Sequence, residues 1–212
     1  MERETISNYA DEPIPLAKAC ACCKEIKPIE AFCRYQQGRY GRNPRCRDCV
    51  AAKGKARRIR VKLAAFEAYG GPVCAECGKT GSEHLCIDPI EKERSQTSPR
   101  LYARLKREGW PEGYRVLCFN CRYLKVMPTV RSQNPDQKRY RAQRAAVLEA
   151  YGAQCAVCGE EDERLLCVGQ VEGARKYRRG GSAGYRWLRD NDFPAGFVVL
   201  CRNCIGKSKR DK

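Results

Sequence analysis

A row of small α+β modules, none with a sizeable core, is the fold class this sequence predicts. Three observations set it. Cysteines recur in evenly matched CxxC pairs along the chain, and about two-thirds of the chain is an internal repeat. The 212 residues are 42% hydrophobic against 32% charged, which leaves little apolar material for one large core. Modules below about 70 residues commonly rely on disulfides or structural metal instead, and sixteen cysteines are available for either.

Context separates the two. The opening stretch, MERETISNYADEPIPLAKAC, has no apolar run of signal-peptide type, and no segment approaches the ~18 apolar residues of a membrane span. The expectation is an intracellular, reducing compartment (cytoplasm, nucleoid or organelle matrix) with no secretion. There, paired cysteines are metal ligands more often than disulfides. The pairs Cys20/Cys23, Cys46/Cys49, Cys74/Cys77, Cys118/Cys121, Cys155/Cys158 and Cys201/Cys204, taken in order, close three four-thiolate sites. Even pairing without an open position suits structural Zn2+, at ~2.3 Å per Zn–S bond, with disulfides or an iron–sulfur cluster as the alternatives. Of the remaining cysteines, Cys86 and Cys167 sit in apolar runs and read as buried small hydrophobes. Cys33 is unassigned, and Cys22 competes with Cys20 or Cys23 for the first metal.

Residues 58–125 laid over 141–208 define the repeat. LAAFEAYGGPVCAECG matches RAAVLEAYGAQCAVCG, HLCIDPI matches LLCVGQV, and LKREGWPEGYRVLCFNC matches LRDNDFPAGFVVLCRNC. Each copy begins with a helix. In the first, Ile59, Leu63 and Phe66 stand at i, i+4 and i+7, a stripe expected to face the module, and Gly70 ends the helix before Pro72. A CxxC knuckle and a short strand follow, then a variable basic loop and a short helix around RLYARLKREG or GYRWLRDND. Pro111 and Gly113, like Pro194 and Gly196, mark a turn. A second strand, YRVLC or FVVLC, leads into the second knuckle and the last helix. The result is ββα around zinc, with Trp110, Phe193 and Trp187 expected in the cores.

The string at residues 63–125, with its second copy at 144–207, resembles the HNH (His-Me finger) endonuclease family, especially the zinc-bound members common in phages and mobile elements. Residues 18–60 are similar to the zinc ribbon often found ahead of such domains: Cys20/Cys23, Lys27–Pro28, Phe32, the basic loop Gly38 to Arg42, Cys46–Arg47–Asp48–Cys49 and a basic helix. The resemblance implies an acidic extension at 1–17, a ribbon at 18–57, degenerate HNH-like repeats at 58–127 and 141–212, and a linker at 128–140, the last repeat carrying a basic tail.

The family's chemistry is largely missing. There a strand histidine is the general base, an adjacent acid helps hold a divalent metal, and a His or Asn on the last helix completes the site. At those positions this chain has Pro89, Asp88 and Arg122 in the first repeat, and Gln170, Gly169 and Ile205 in the second. Proline cannot accept a proton, and Gln170 has no useful basicity. The single histidine, His84, lies five residues before Pro89, an offset that puts it on the opposite strand face as a solvated or capping residue. No catalytic residue is assigned; Asp88 reads as a strand-end acid making local hydrogen bonds.

Charge supplies the functional expectation. The formal net charge is +17, which three −2 zinc sites would lower to +11. Residues 18–62 hold fourteen Lys and Arg against three Asp and Glu. Such a chain calls for a polyanionic partner, RNA or DNA, within a larger ribonucleoprotein or transcription assembly, with neither membrane nor small-molecule substrate. Candidate contacts are Arg39, Arg42 and Arg45 in the first module, and Lys53, Lys55, Arg57, Arg58, Arg60 and Lys62 on its helix. Arg175, Lys176, Arg178 and Arg179 follow in a loop with Tyr177 and Tyr185, which suit base stacking. Lys207, Lys209 and Arg210 close the tail. Phosphate contacts of this kind predict recognition of backbone and shape. The rival functions are a divergent nuclease using Asp88, His84 or Glu91, separable by a nicking assay, and a basic protein-binding adaptor or inhibitor, separable by salt dependence.

Overall fold

The computed structural model describes residues 13–91, 99–127, 134–171 and 181–208. Its contacts form two compact units that meet inside one helix, between Lys62 and Leu63.

The first unit opens with β1 (Ala17–Ala19) antiparallel to β2 (Ile26–Pro28), followed by β3 (Phe32–Arg34) antiparallel to β4 (Arg42–Cys46). These four strands bury only Phe32 and Cys46. The buried cluster here is Cys20, Phe32 and Cys46, so the sulfurs stand where apolar side chains would in a larger domain. The Lys18 ammonium lies 4.5 Å from the centre of the Phe32 ring. Helix α1 (Arg47–Ala68) follows β4 directly.

The second unit contains the repeat. Its first copy runs from the end of α1 through β5 (Leu85–Pro89), α2 (Pro99–Arg107), β6 (Tyr114–Cys118) and α3 (Phe119–Val126). The second runs through α4 (Pro135–Ala150), β7 (Leu166–Gln170), α5 (Gly181–Asp190), β8 (Phe197–Cys201) and α6 (Arg202–Ser208). Each β-pair is antiparallel with the same register: Leu85 faces Cys118 and Pro89 faces Tyr114, while Leu166 faces Cys201 and Gln170 faces Phe197. The segment read as a linker is helical from Pro135, because Asn134 Oδ1 caps the backbone N–H of Asp136 at 2.8 Å and proline suits the first turn.

Small side-chain details repeat too. Tyr69 Oη donates to Pro111 O (2.9 Å) and Tyr151 Oη to Pro194 O (2.8 Å). Tyr69 meets Trp110 edge-on at 6.3 Å, and Tyr151 meets Phe193 likewise at 6.3 Å. Both Trp110 (φ 62°) and Phe193 (φ 50°) take the left-handed region that bulky residues avoid. Their backbone N–H groups close the preceding helix on Leu105 O and Leu188 O, each at 2.9 Å, and ring packing holds them there.

Two expectations fail. Ile59 is 49% and Leu63 40% exposed; α1 packs Cys49 of its first turn against the first unit's cluster and buries only Ala65 and Phe66 near its other end. The helix is longer than the core beneath it, so Ile59 and Leu63 of the predicted stripe stand exposed among the described residues. Tyr185 is not a free stacking platform: it packs edge-on against Tyr140 at 5.8 Å, and burial raises its hydroxyl pKa. Tyr177 lies outside the described residues.

Candidate metal centres and the buried aspartate

The first CxxC turn of each site is built the same way. The N–H after the second cysteine returns to the carbonyl of the first: Lys24 to Cys20, Gly78 to Cys74 and Gly159 to Cys155, all at 2.9 Å. That residue needs positive φ (66°, 68° and 71°), which glycine adopts freely and Lys24 does not. The second pair of each site leaves a strand and opens a helix. Cys118 Sγ caps α3 by accepting from Cys121 N at 3.4 Å, and in the first unit Cys20 Sγ accepts from Cys46 N at 3.3 Å.

Three groups of four cysteines result: Cys20/Cys23/Cys46/Cys49, Cys74/Cys77/Cys118/Cys121 and Cys155/Cys158/Cys201/Cys204, with the sulfurs of each within 4.8 Å of one another. All sixteen cysteines are free thiols. Cys77 and Cys118 Sγ are 3.7 Å apart, as are Cys158 and Cys201 Sγ. The edge of a tetrahedron with ~2.3 Å Zn–S bonds is about 3.8 Å, whereas a disulfide needs ~2.05 Å. The donor set therefore fits three structural zinc ions. Cys22 is exposed and outside the first group, which resolves the competition for that site. Cys86 and Cys167 are buried, with Sγ on Leu117 O (3.4 Å) and Leu200 O (3.2 Å).

Thiol acidity divides within each group. The Cys46 amide, followed by other knuckle amides, holds Cys20 down to about 6 against its burial. Burial pushes Cys74 and Cys155 up, but amides from Cys118 and Cys77, and from Cys201, Val157 and Cys158, bring them to about 7. Cys49 rises chiefly through its bond to Cys46, and Cys121 and Cys204 chiefly through burial. Without a cation, four neighbouring sulfurs cannot all ionise; a dication removes that conflict.

Asp88 is 1% exposed. Arg122 Nε reaches its Oδ1 at 3.0 Å and Lys125 Nζ its Oδ2 at 2.7 Å. Lys125 also donates to the carbonyls of Pro89 and, at 3.1 Å, Glu91. Arg122 and Lys125 are one turn apart on α3, so both reach across to β5. Sequence reasoning placed Arg122 here and missed Lys125, although the i, i+3 spacing was a usable signal. At the same place in the second repeat, a Cβ on Gly169 would lie 2.9 Å from Leu200 Cδ1 and 3.8 Å from Ile205 Cδ1. Apolar side chains fill that position. His84 precedes β5 and is not solvated: its side chain is 16% exposed, with Nδ1 3.4 Å from Asn203 O and Nε2 3.6 Å from Glu83.

That contact belongs to the junction between the repeats. Asn120 N donates to Asn203 Oδ1 (3.1 Å) and Asn203 N to Asn120 Oδ1 (3.0 Å), a reciprocal pair at equivalent positions. Asn120 Nδ2 adds Glu160 Oε2 at 3.2 Å, and the Arg202 guanidinium lies 4.1 Å over the Tyr123 ring. The sequence carried a hint: Asn is the one variable-position residue shared by CFNC and CRNC.

Among the cationic candidates, Arg39 lies 4.9 Å over Tyr40, Arg42 donates to Phe32 O at 3.2 Å, and Arg45 is exposed. Lys53, Lys55, Arg57, Arg58 and Arg60 are exposed on α1, and Lys62 is partly buried. Arg175, Lys176, Arg178, Arg179, Lys209, Arg210 and the Lys207 side chain lie outside the described residues. Among the described residues no helix is long and apolar enough to cross a membrane. No family model, no curated protein and no solved structure matches the chain.

Proposed function

We propose that this is a non-catalytic, zinc-stabilised nucleic-acid-binding protein that recognises phosphate backbone and shape, in the HNH-like architecture its repeats resemble, behind a zinc ribbon. The observation that carries binding is α1: seven Lys and Arg against two acids, with six of the seven cations exposed. A surface this unbalanced in sign supports a polyanionic partner. Zinc clamps of this kind give a basic chain with little apolar core a fixed shape to present to phosphates. Such a protein would serve as a structural component of a ribonucleoprotein particle or as a phage-type regulator, in a reducing compartment.

The buried aspartate argues for the absence of catalysis. In the nuclease reading Asp88 is the one retained metal ligand, but its carboxylate is already neutralised by Arg122 and Lys125. A divalent cation would have to displace two positive charges. A plasmid-nicking assay with magnesium or manganese, beside an anisotropy titration against a labelled polynucleotide at several salt concentrations, tests both halves. Binding with a steep log–log salt slope and no nicking is expected. Nicking that Asp88→Ala abolishes would reverse the catalytic conclusion, and a flat salt dependence would reverse the binding one.

A further inference from the structure

We propose that α1 seats lengthwise in the major groove of B-form duplex DNA, its two flanks on opposite phosphate strands. This rests on the phosphate-binding reading above and names its ligand.

The argument begins with the angular positions of the side chains, at about 100° per residue. Lys53, Arg57 and Arg60 are spaced i, i+4, i+7 and form one flank. Arg47 and Arg58, with Lys55 at the margin, form another, roughly 150° around the helix. All six are exposed. The two acids lie at the helix ends, Asp48 and Glu67, and Asp48 is held by Lys27 at 2.9 Å. A flat sheet of phosphates would engage one flank and leave the other in water.

On the wider arc between the flanks, about 210° across at ~100° per residue, runs a strip of a different kind. Ala52, Ala56, Ile59 and Leu63 recur at i, i+4, i+7 and i+11, and all are exposed. Small residues let a helix approach a surface closely, and methyl groups suit the thymine edge of a major-groove floor. On the opposite side Gly54 adds no side chain, and Arg58 folds back to within 3.6 Å of where its Cβ would be. Seen end-on, the helix is two cationic walls with a thin apolar keel.

Dimensions decide the duplex. A helix with side chains is about 10–12 Å across, and the B-form major groove is about 12 Å wide and 8.5 Å deep. The A-form major groove of duplex RNA is too deep and narrow to be read by side chains. An anionic bilayer is the other surface a basic helix can lie on, but there the apolar face carries large residues such as Trp, Phe and Leu. Two alanines in a strip of four insert little.

The test uses the full-length zinc-loaded chain. Its probes are a mixed-sequence 24-base-pair DNA duplex, the RNA duplex of the same sequence, the single DNA strand, and phosphatidylserine vesicles. The DNA duplex is expected to bind at least about tenfold more tightly than the other polynucleotides. K53Q/R57Q/R60Q and R47Q/K55Q/R58Q, each checked for three bound zinc ions, should lose similar affinity, on the order of a hundredfold at 0.15 M salt. The log–log salt slope should fall by about 2.7 in each. Ala56→Trp should weaken the DNA duplex alone. Equal binding of RNA duplex or single strand, or loss from only one flank variant, overturns the groove seating and leaves phosphate binding standing. Binding to vesicles alone overturns both readings.

Discussion

At one position the two repeats have adopted opposite chemistry on the same backbone. In the first, Asp88 is buried under Arg122 and Lys125. In the second, Gly169 makes room for Leu200 and Ile205. Strand register, ring packing and turn closures agree between the copies. The ββα-type scaffold therefore accepts either an ionic or an apolar filling. What the two copies share is the zinc clamp and the junction, so those carry the structure, and the filled position is free to vary.

The largest expected effect tests that claim at its base. Structural zinc in small peptides supplies roughly 10–16 kcal/mol, which exceeds or matches the ~5–15 kcal/mol stability of a whole domain. Cys118→Ser and Cys201→Ser should each lower bound zinc from three to two equivalents by elemental analysis and open their own repeat to limited proteolysis. A strong chelator should unfold both repeats and the first unit. If either serine variant leaves both repeats protease-resistant, packing outweighs metal and the comparison has been drawn at the wrong level.

Next in size is the filled position itself. Asp88→Ala leaves two cations facing a buried site, with side-chain exposures of only 25% and 13%. Removing one partner of such a group costs about 3–5 kcal/mol, measurable as a lower urea midpoint at constant zinc. Asp88→Gly with Arg122→Ile and Lys125→Ser copies the residues of the second repeat. That variant should recover at least half the loss, because an apolar filling removes the unpaired charge. Gly169→Asp, with Ile205 where the first repeat has Arg122 and with Leu200 crowding it, should cost as much as Asp88→Ala. Recovery failing in the triple variant would mean the two fillings are not interchangeable.

How much of this was legible beforehand follows from the range over which each feature acts. CxxC turns, strands and knuckle helices are set by neighbours within about ten residues, and the repeat supplied each reading twice. What the sequence did not reveal depends on contacts across the fold. Ile59 and Leu63 have correct helical spacing, but periodicity gives the direction of a face and not whether anything covers it. His84 was misplaced because its environment comes from Asn203, 119 residues away.

The junction stands third. Asn120 and Asn203 each accept the other's buried N–H. Asn120→Ala or Asn203→Ala leaves a buried donor without its acceptor, at about 1–3 kcal/mol. The double variant should cost clearly less than the sum, since the two changes dismantle one bonded unit. An additive result would show that the repeats do not couple through this pair.

The smallest effect comes where the copies differ without apparent gain. Arg202 occupies the position of Phe119 and lies over Tyr123, yet its Nε is buried with no hydrogen-bond partner among the described residues. Arg202→Phe makes the second repeat match the first. It removes a cation–π contact of about 0.5–2 kcal/mol and an orphan donor whose desolvation costs about 1–3 kcal/mol. Because these oppose, the change should shift stability by no more than about 1 kcal/mol and leave polynucleotide affinity within twofold. A loss well beyond that, read from the urea midpoint, would show that Arg202 makes a stronger junction contact than stacking on Tyr123, and that the two halves of the junction are less alike than the asparagine pair suggests.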